Sequence, residues 1–162
     1  MKQKGTTWLI QAAIIAALYV VLTEIANLLG LASGVIQVRI SEALNVLACF
    51  TSAAVPGVTV GCLLANLLTG CVVWDVIFGT VASLIGVVGV YFLRKNRVIA
   101  LLCPIVSNAV IVPFVLRYAY GAPDALWFLV LTVAVGEIIS CGIFGYLLGI
   151  VVNKNEKVLF RK

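Results

Sequence analysis

Apolar residues run along this chain in long, nearly unbroken stretches, and polar residues collect in a few short clusters between them. A run of about 20 apolar residues is the length an α-helix needs to cross about 30 Å of hydrocarbon. On that measure residues 8–29 are a first span and residues 30–37 a loop. A second helix begins near Arg39 and runs to about Val55. Pro56-Gly57 then breaks it, because proline lacks an N–H donor and clashes with the preceding turn. A third span covers residues 58–73. Drawing one kinked helix over residues 43–73 instead would make it about 46 Å long, well beyond the hydrocarbon. Residues 75–93 form a fourth span rich in small residues, followed by the polar turn Arg94-Lys95-Asn96-Arg97. The fifth span covers residues 98–115 and carries Pro104 and Pro113, which predict bends. Residues 117–124, with Gly121 and Pro123, are a loop, and residues 125–152 are the sixth and longest span before a basic tail at 153–162.

Composition agrees with that pattern. Of the residues, 64% are hydrophobic and 10% charged, and the mean hydropathy is +1.22. A soluble domain carries about 25% charged residues. The expected fold is therefore an all-α integral membrane protein, a compact bundle of six transmembrane helices. Six spans would consume about 120 residues, so residues 1–162 read as a single transmembrane domain.

Charge tests the count. Nine of the eleven basic residues fall in three groups: Lys2 and Lys4; Arg94, Lys95 and Arg97; Lys154, Lys157, Arg161 and Lys162. Lysine and arginine in short loops stay on the cytoplasmic side. Six spans place all three groups on that side, with both termini cytoplasmic in the cell membrane. Five spans would force the central group and the tail outside. The net charge of +5 then follows from topology and contact with anionic lipid, and no basic soluble face suggests nucleic acid.

This topology sorts the remaining polar residues by depth. Glu24, Glu42, Asp75 and Asp124 lie toward the external face; Asn66 sits in the outer half of the third span, and Asn108 and Glu137 near mid-depth. A charge inside the bilayer costs at least about 2.5 to 3.5 kcal/mol, which marks ionisable groups near a span as functional candidates. The arrangement describes a polar cavity open to the outside and closed below by apolar packing. The stretch 38–45, Val-Arg-Ile-Ser-Glu-Ala-Leu-Asn, is its edge. There Arg39 and Glu42, and likewise Glu42 and Asn45, are three apart and share a helical face. Arg39 and Glu42 either satisfy each other, or Glu42 accepts from a ligand while Arg39 or Asn45 completes the polar wall. Trp74 and Trp127 suit an interfacial aromatic belt, although Trp74 would also serve a planar ligand. Glu137, at mid-span, needs a partner or a proton.

Other chemistries find little support. The chain has no histidine, no Cys-x-x-Cys pair and no carboxylates clustered in sequence, so no metal site is expected. The five cysteines behave as small apolar residues of the spans. No phosphate loop is present, so no ATP hydrolysis by that route and no cofactor are expected. Two rival classes stand beside a binding protein: a stand-alone ion-coupled secondary transporter or small channel using Glu137, and an intramembrane enzyme built on Asp75 and Glu137. In the first span Ala12, Ala13, Ala16 and Ala17 make two overlapping small-xxx-small pairs, a strip that permits close approach of a helix, from a partner or from within the chain.

The Val-Arg-Ile-Ser-Glu-Ala-Leu run at 38–44, the alanine-rich first span, the Pro56-Gly57 break and the six-span length resemble the QueT family, the substrate-binding S components of energy-coupling factor (ECF) transporters. The resemblance implies a ligand of the queuosine pathway, queuine or a related 7-deazaguanine, bound near the external side. It also implies docking onto a transmembrane T component carrying two cytoplasmic ATPases. The contact would be the alanine face, through Ala12 and Ala16 or through Ala13 and Ala17. A guanine-like edge offers adjacent N–H donors to a carboxylate, and an aminomethyl group would welcome a second acid. Glu42 and Glu137 are the expected carboxylates for such a ligand, Asn66 and Asn108 the amides, and Trp74 the stacking ring.

Overall fold

The computed structural model describes residues 5–31 and 37–156. Lys2, Lys4, Lys157, Arg161 and Lys162, and most of the expected loop at 30–37, lie outside the described residues.

All regular structure among the described residues is helical: α1 (Thr6–Leu28), a 3-10 helix (Ile40–Cys49), α2 (Ala54–Leu68), α3 (Val73–Leu93), α4 (Arg97–Tyr118) and α5 (Leu126–Lys154). Helices α1, α3, α4 and α5 are long and apolar enough to cross a membrane. The 3-10 helix and α2 are apolar but shorter. At about 2.0 Å per residue the first is about 20 Å long, and α2, at about 1.5 Å per residue, about 22 Å.

The break expected at Pro56-Gly57 falls earlier. Residues 50–53 make the turn, and Pro56 stands in the first turn of α2, where N–H groups have no intrahelical partner and a missing one costs little. Both Pro104 and Pro113 lie inside an uninterrupted α4 that reaches Tyr118, three residues beyond the expected end. Asp75 and Trp74, placed in or beside a turn by the sequence pattern, belong to the first turn of α3. Within α5, residues Ile138–Phe144 widen into a π-helix.

Long-range contacts fix which helix ends lie together. The Trp8 indole N–H donates to Ser52 Oγ at 3.0 Å. Arg97 lies over the Phe50 ring, 4.7 Å from its centroid, and donates to Asn153 Oδ1 at 2.6 Å and to the Gly149 carbonyl at 3.3 Å. The start of α1, the 50–53 turn, the α3–α4 turn and the end of α5 therefore share one end of the bundle. At the other end Thr23, late in α1, donates to Ser41 Oγ at 2.9 Å, and Gln37 packs its carbonyl against Gly136 so closely that a Cβ there would stand 2.1 Å from the oxygen. Gly30 and Gly70, both at positive φ, turn the chain after α1 and α2.

Packing is tightest where glycines let backbones approach. A Cβ on Gly57 would meet the Ala12 carbonyl and Ile15 Cβ at 2.9 Å, and one on Gly61 would meet Tyr19 Cβ at 2.6 Å. Ala12 and Ala16 are thus buried against α2, while Ala13 and Ala17 point outward. Between α3 and α4, Gly86 and Gly89 face Pro104 and Cys103 in the same way. The outer surface is apolar, with Leu9, Ile14, Leu18, Phe92, Val106 and Leu147 exposed, as a surface facing acyl chains must be. At the centre runs the 3-10 helix, buried from Ser41 to Ala48.

Candidate functional site

The 3-10 helix carries Glu42 into the middle of the bundle, where it is 1% exposed. Three helices send donors to its carboxyl group. Tyr19 of α1 donates its hydroxyl to Oε1, Ser83 of α3 donates to the same oxygen at 3.3 Å, and Asn45, one 3-10 turn further on, donates to Oε2 at 2.6 Å. The spacing of three that suggested a shared face for Glu42 and Asn45 is the period of a 3-10 helix. Cys62 and Asn66 of α2 extend the network, Ser83 reaching Cys62 Sγ at 3.3 Å and Asn66 Nδ2 the same sulfur at 3.7 Å.

The second carboxylate comes from α5. Glu137 is 7% exposed and accepts from the Cys141 thiol at 3.4 Å, and that thiol also lies 3.3 Å from the Glu42 carbonyl. Donor atoms of Glu42, Glu137 and Cys141 lie within 4.8 Å of one another. No clustered carboxylate set was expected, and folding makes one from residues far apart in the chain. Two carboxyl groups and a thiol make a donor set that could take a cation. Asn108 of α4 faces Glu137. Among the described residues the buried Asn45 Oδ1 has no hydrogen-bond partner.

Arg39 stands above this cluster, at the entry to the 3-10 helix. Its ion pair is with Asp75 of α3, at 4.0 Å, rather than with Glu42. Asp75 is buried and also accepts from the Tyr120 hydroxyl at 2.9 Å. Burial and the Asp75 carboxylate push the Tyr120 phenol above its usual range, so it remains a donor. Asp75 and Glu137 thus have separate hydrogen-bond partners.

Of the residues singled out from sequence, Glu42, Asn45, Asn66, Asn108 and Glu137 are all buried in the bundle, and Arg39 caps them. Trp74 is set apart. It is 59% exposed, stacks on Phe78 and lines an apolar pocket of about 440 Å³ with Val110, Phe114 and Tyr118. Tyr19, Ser83, Cys141 and Tyr120 were missed. For Tyr19 a signal existed: with Thr23 it forms a polar pair four residues apart, on one face of the first span. For the others, only the fold reveals the role.

A family model described as the QueT transporter matches residues 9–154. The chain belongs to the QueT transporter family. It is accordingly a multi-pass protein of the cell membrane. Over 86 residues the chain is 41% identical to the queuosine precursor transporter QueT of Lactococcus lactis subsp. cremoris (strain MG1363), a match that takes in 52% of this chain and 50% of the relative. The chain thus matches about half the length of this QueT relative. No solved structure matches.

Proposed function

We propose that this QueT-family chain is the substrate-binding S component of an ECF-type importer, and that its substrate is a queuosine precursor, queuine or a related 7-deazaguanine. The observation that carries this reading is the buried carboxyl group of Glu42, ringed by donors from α1, the 3-10 helix and α3. A carboxylate held in a dry site accepts two adjacent N–H groups of a guanine-like edge with geometry that few other side chains match. The family membership and the queuosine name of the Lactococcus relative support the same ligand class.

In this reading the chain crosses the membrane six times, the 3-10 helix and α2 being the two short passes, with both termini in the cytoplasm. The end bearing Arg39, Asp75 and Tyr120 faces outside, and the ligand enters beneath it. Ligand binding replaces some of the internal donors on Glu42, so Tyr19 or Asn45 must move as the ring arrives. Trp74 serves as an interfacial anchor rather than as a stacking ring. Energy comes from two ATPases through a T component. The contact face on α1 is then Ala13 and Ala17, because Ala12 and Ala16 are occupied by α2.

The test is equilibrium binding to the purified, detergent-solubilised chain, with queuine, its 7-deazaguanine precursors, guanine and riboflavin compared by calorimetry. The expected result is tight binding of a 7-deazaguanine, with guanine and riboflavin much weaker. Glu42→Gln is expected to lose at least about tenfold in affinity, the scale of one charge-assisted hydrogen bond. Wild-type affinity in Glu42→Gln, or failure of every 7-deazaguanine to bind folded protein, overturns the assignment.

A further inference from the structure

The pocket of about 440 Å³ beside Trp74 lies between α3 and α4, apart from the buried carboxyl groups. Its walls are two aromatic columns. Trp74 and Phe78 of α3 stack with ring centroids 6.0 Å apart, and Phe114 and Tyr118 of α4 with centroids 6.4 Å apart. Val110 and Val115 add to the lining, so that the α4 side runs from residue 110 to residue 118, about 12 Å along the helix. A groove this apolar holds no water, which would find no hydrogen-bond partners in it. Beyond Phe78 and Val110 it continues into Val81 and Val106, both exposed on helices long and apolar enough to cross a membrane. It is thus continuous with the surface that the bilayer covers, and what fills it is hydrocarbon.

One end of the groove is charged. Arg117 stands seven residues after Val110 and three after Phe114, on their face of α4. Its Nη1 donates to the Ala122 and Asp124 carbonyls at 2.8 and 3.1 Å, contacts that steady the guanidinium without neutralising it. Among the described residues no carboxylate forms an ion pair with Arg117, whereas Arg39, at the same end of the bundle, is paired with Asp75. Trp74 and Tyr118, both exposed, stand at this end as rings of an interfacial belt do. An apolar channel, two amphipathic rings and an unpaired arginine follow one another in the order of a phospholipid's chain, glycerol and phosphate.

We infer that this groove is a binding site for one anionic phospholipid, with an acyl chain between the aromatic columns, the glycerol beside Trp74 and Tyr118, and the phosphate on Arg117. Chain burial cannot select this lipid from its neighbours, because moving from bilayer to groove removes no apolar surface from water. Selection comes from the headgroup, whose phosphate oxygens the guanidinium fork matches. One basic residue at the membrane surface favours an anionic lipid by about fivefold.

The experiment uses the intact chain carrying Trp8→Phe and Trp127→Phe, which leaves Trp74 as the reporter, in phosphatidylcholine vesicles. A brominated phospholipid, whose bromines quench a ring they touch, replaces a growing share of the lipid: phosphatidylglycerol in one series, phosphatidylcholine in the other. Brominated phosphatidylglycerol is expected to halve Trp74 emission at about one fifth of the share that brominated phosphatidylcholine requires. Adding Arg117→Gln is expected to bring the two curves together. Equal quenching by both lipids in the protein that keeps Arg117, or a preference that survives Arg117→Gln, overturns the site. A Trp74 that neither lipid quenches is covered by protein, a second copy or a partner, and also overturns it. Should the double tryptophan variant not fold, the wild-type chain released from mixed vesicles answers by mass spectrometry: phosphatidylglycerol retained over phosphatidylcholine supports the site, and equal retention overturns it.

Discussion

Replacing Gly61 by alanine drives a methyl group into α1. The new Cβ would stand 2.6 Å from Tyr19 Cβ and 3.0 Å from the Ala16 carbonyl, neither of which is the free end of a flexible chain. The two helices must part by several tenths of an ångström, and overpacking of that kind costs about 1–3 kcal/mol. Alanine also gains about 1 kcal/mol over glycine in helix propensity, so the right comparison is with a second glycine-to-alanine change that carries the same gain. Gly145 serves: a Cβ there meets nothing closer than 3.5 Å. Gly61→Ala is therefore expected to be about 1–3 kcal/mol less stable than Gly145→Ala, measured by unfolding the detergent-solubilised proteins in increasing SDS with tryptophan fluorescence. A second effect follows, because the residue pushed aside is the phenol that donates to Glu42, and ligand affinity should fall along with stability. Equal unfolding midpoints for the two variants would refute the close α1–α2 contact and with it the placement of Tyr19.

Two further changes separate the network from the surface. Tyr19→Phe removes one donor from the buried Glu42 carboxyl group and is expected to cost about 1–3 kcal/mol in the same unfolding assay; a variant as stable as wild type would mean the phenol is not bonded there. Ala12→Leu collides with the Gly57 contact and should destabilise the isolated chain, whereas Ala13→Leu adds bulk to an exposed face and should leave it folded. If Ala13 lies on the docking face, Ala13→Leu alone abolishes co-purification with a T component, and retention of the complex would move that face elsewhere.

The family was legible because its marks are local: residues 38–44 and the alanine-rich first span are contiguous in the chain. The long helices were legible too, since hydrocarbon length and apolar composition constrain them strongly. Boundaries that depend on backbone detail were not. Pro56 reads as a breaker until the chain is seen to start a helix two residues before it, where proline is harmless. The choice between Ala12 with Ala16 and Ala13 with Ala17 turned on Gly57 and Gly61, whose close approach no pattern within α1 could reveal. Likewise Arg39 has a neighbour three residues away in Glu42, yet its partner is Asp75, brought in from α3. Burial of five of the expected site residues followed from their depth along the spans; the pairing of Glu42 with Glu137 through Cys141 is a tertiary fact.

The π-helical stretch in α5 sets the helix a rule of its own. Leu129, Val133, Glu137, Cys141, Gly145 and Gly149 are all buried, one at every fourth position. A regular α-helix turns 100° per residue, so steps of four overshoot by about 40° each and a stripe so spaced would wind around to the opposite side within five steps. The wider turns at Ile138–Phe144 rewind part of that drift and keep the upper acid and the lower glycines in one column. Reading frame, in this helix, matters as it does in a gene. Deleting a single residue between 138 and 144 would close the wide turns into regular α-helix and leave Gly145 and Gly149 facing the core, whereas inserting one with no further wide turn would rotate everything after it by about 100°, turning Gly145 and Gly149 away from the core and withdrawing the Gly149 carbonyl from Arg97.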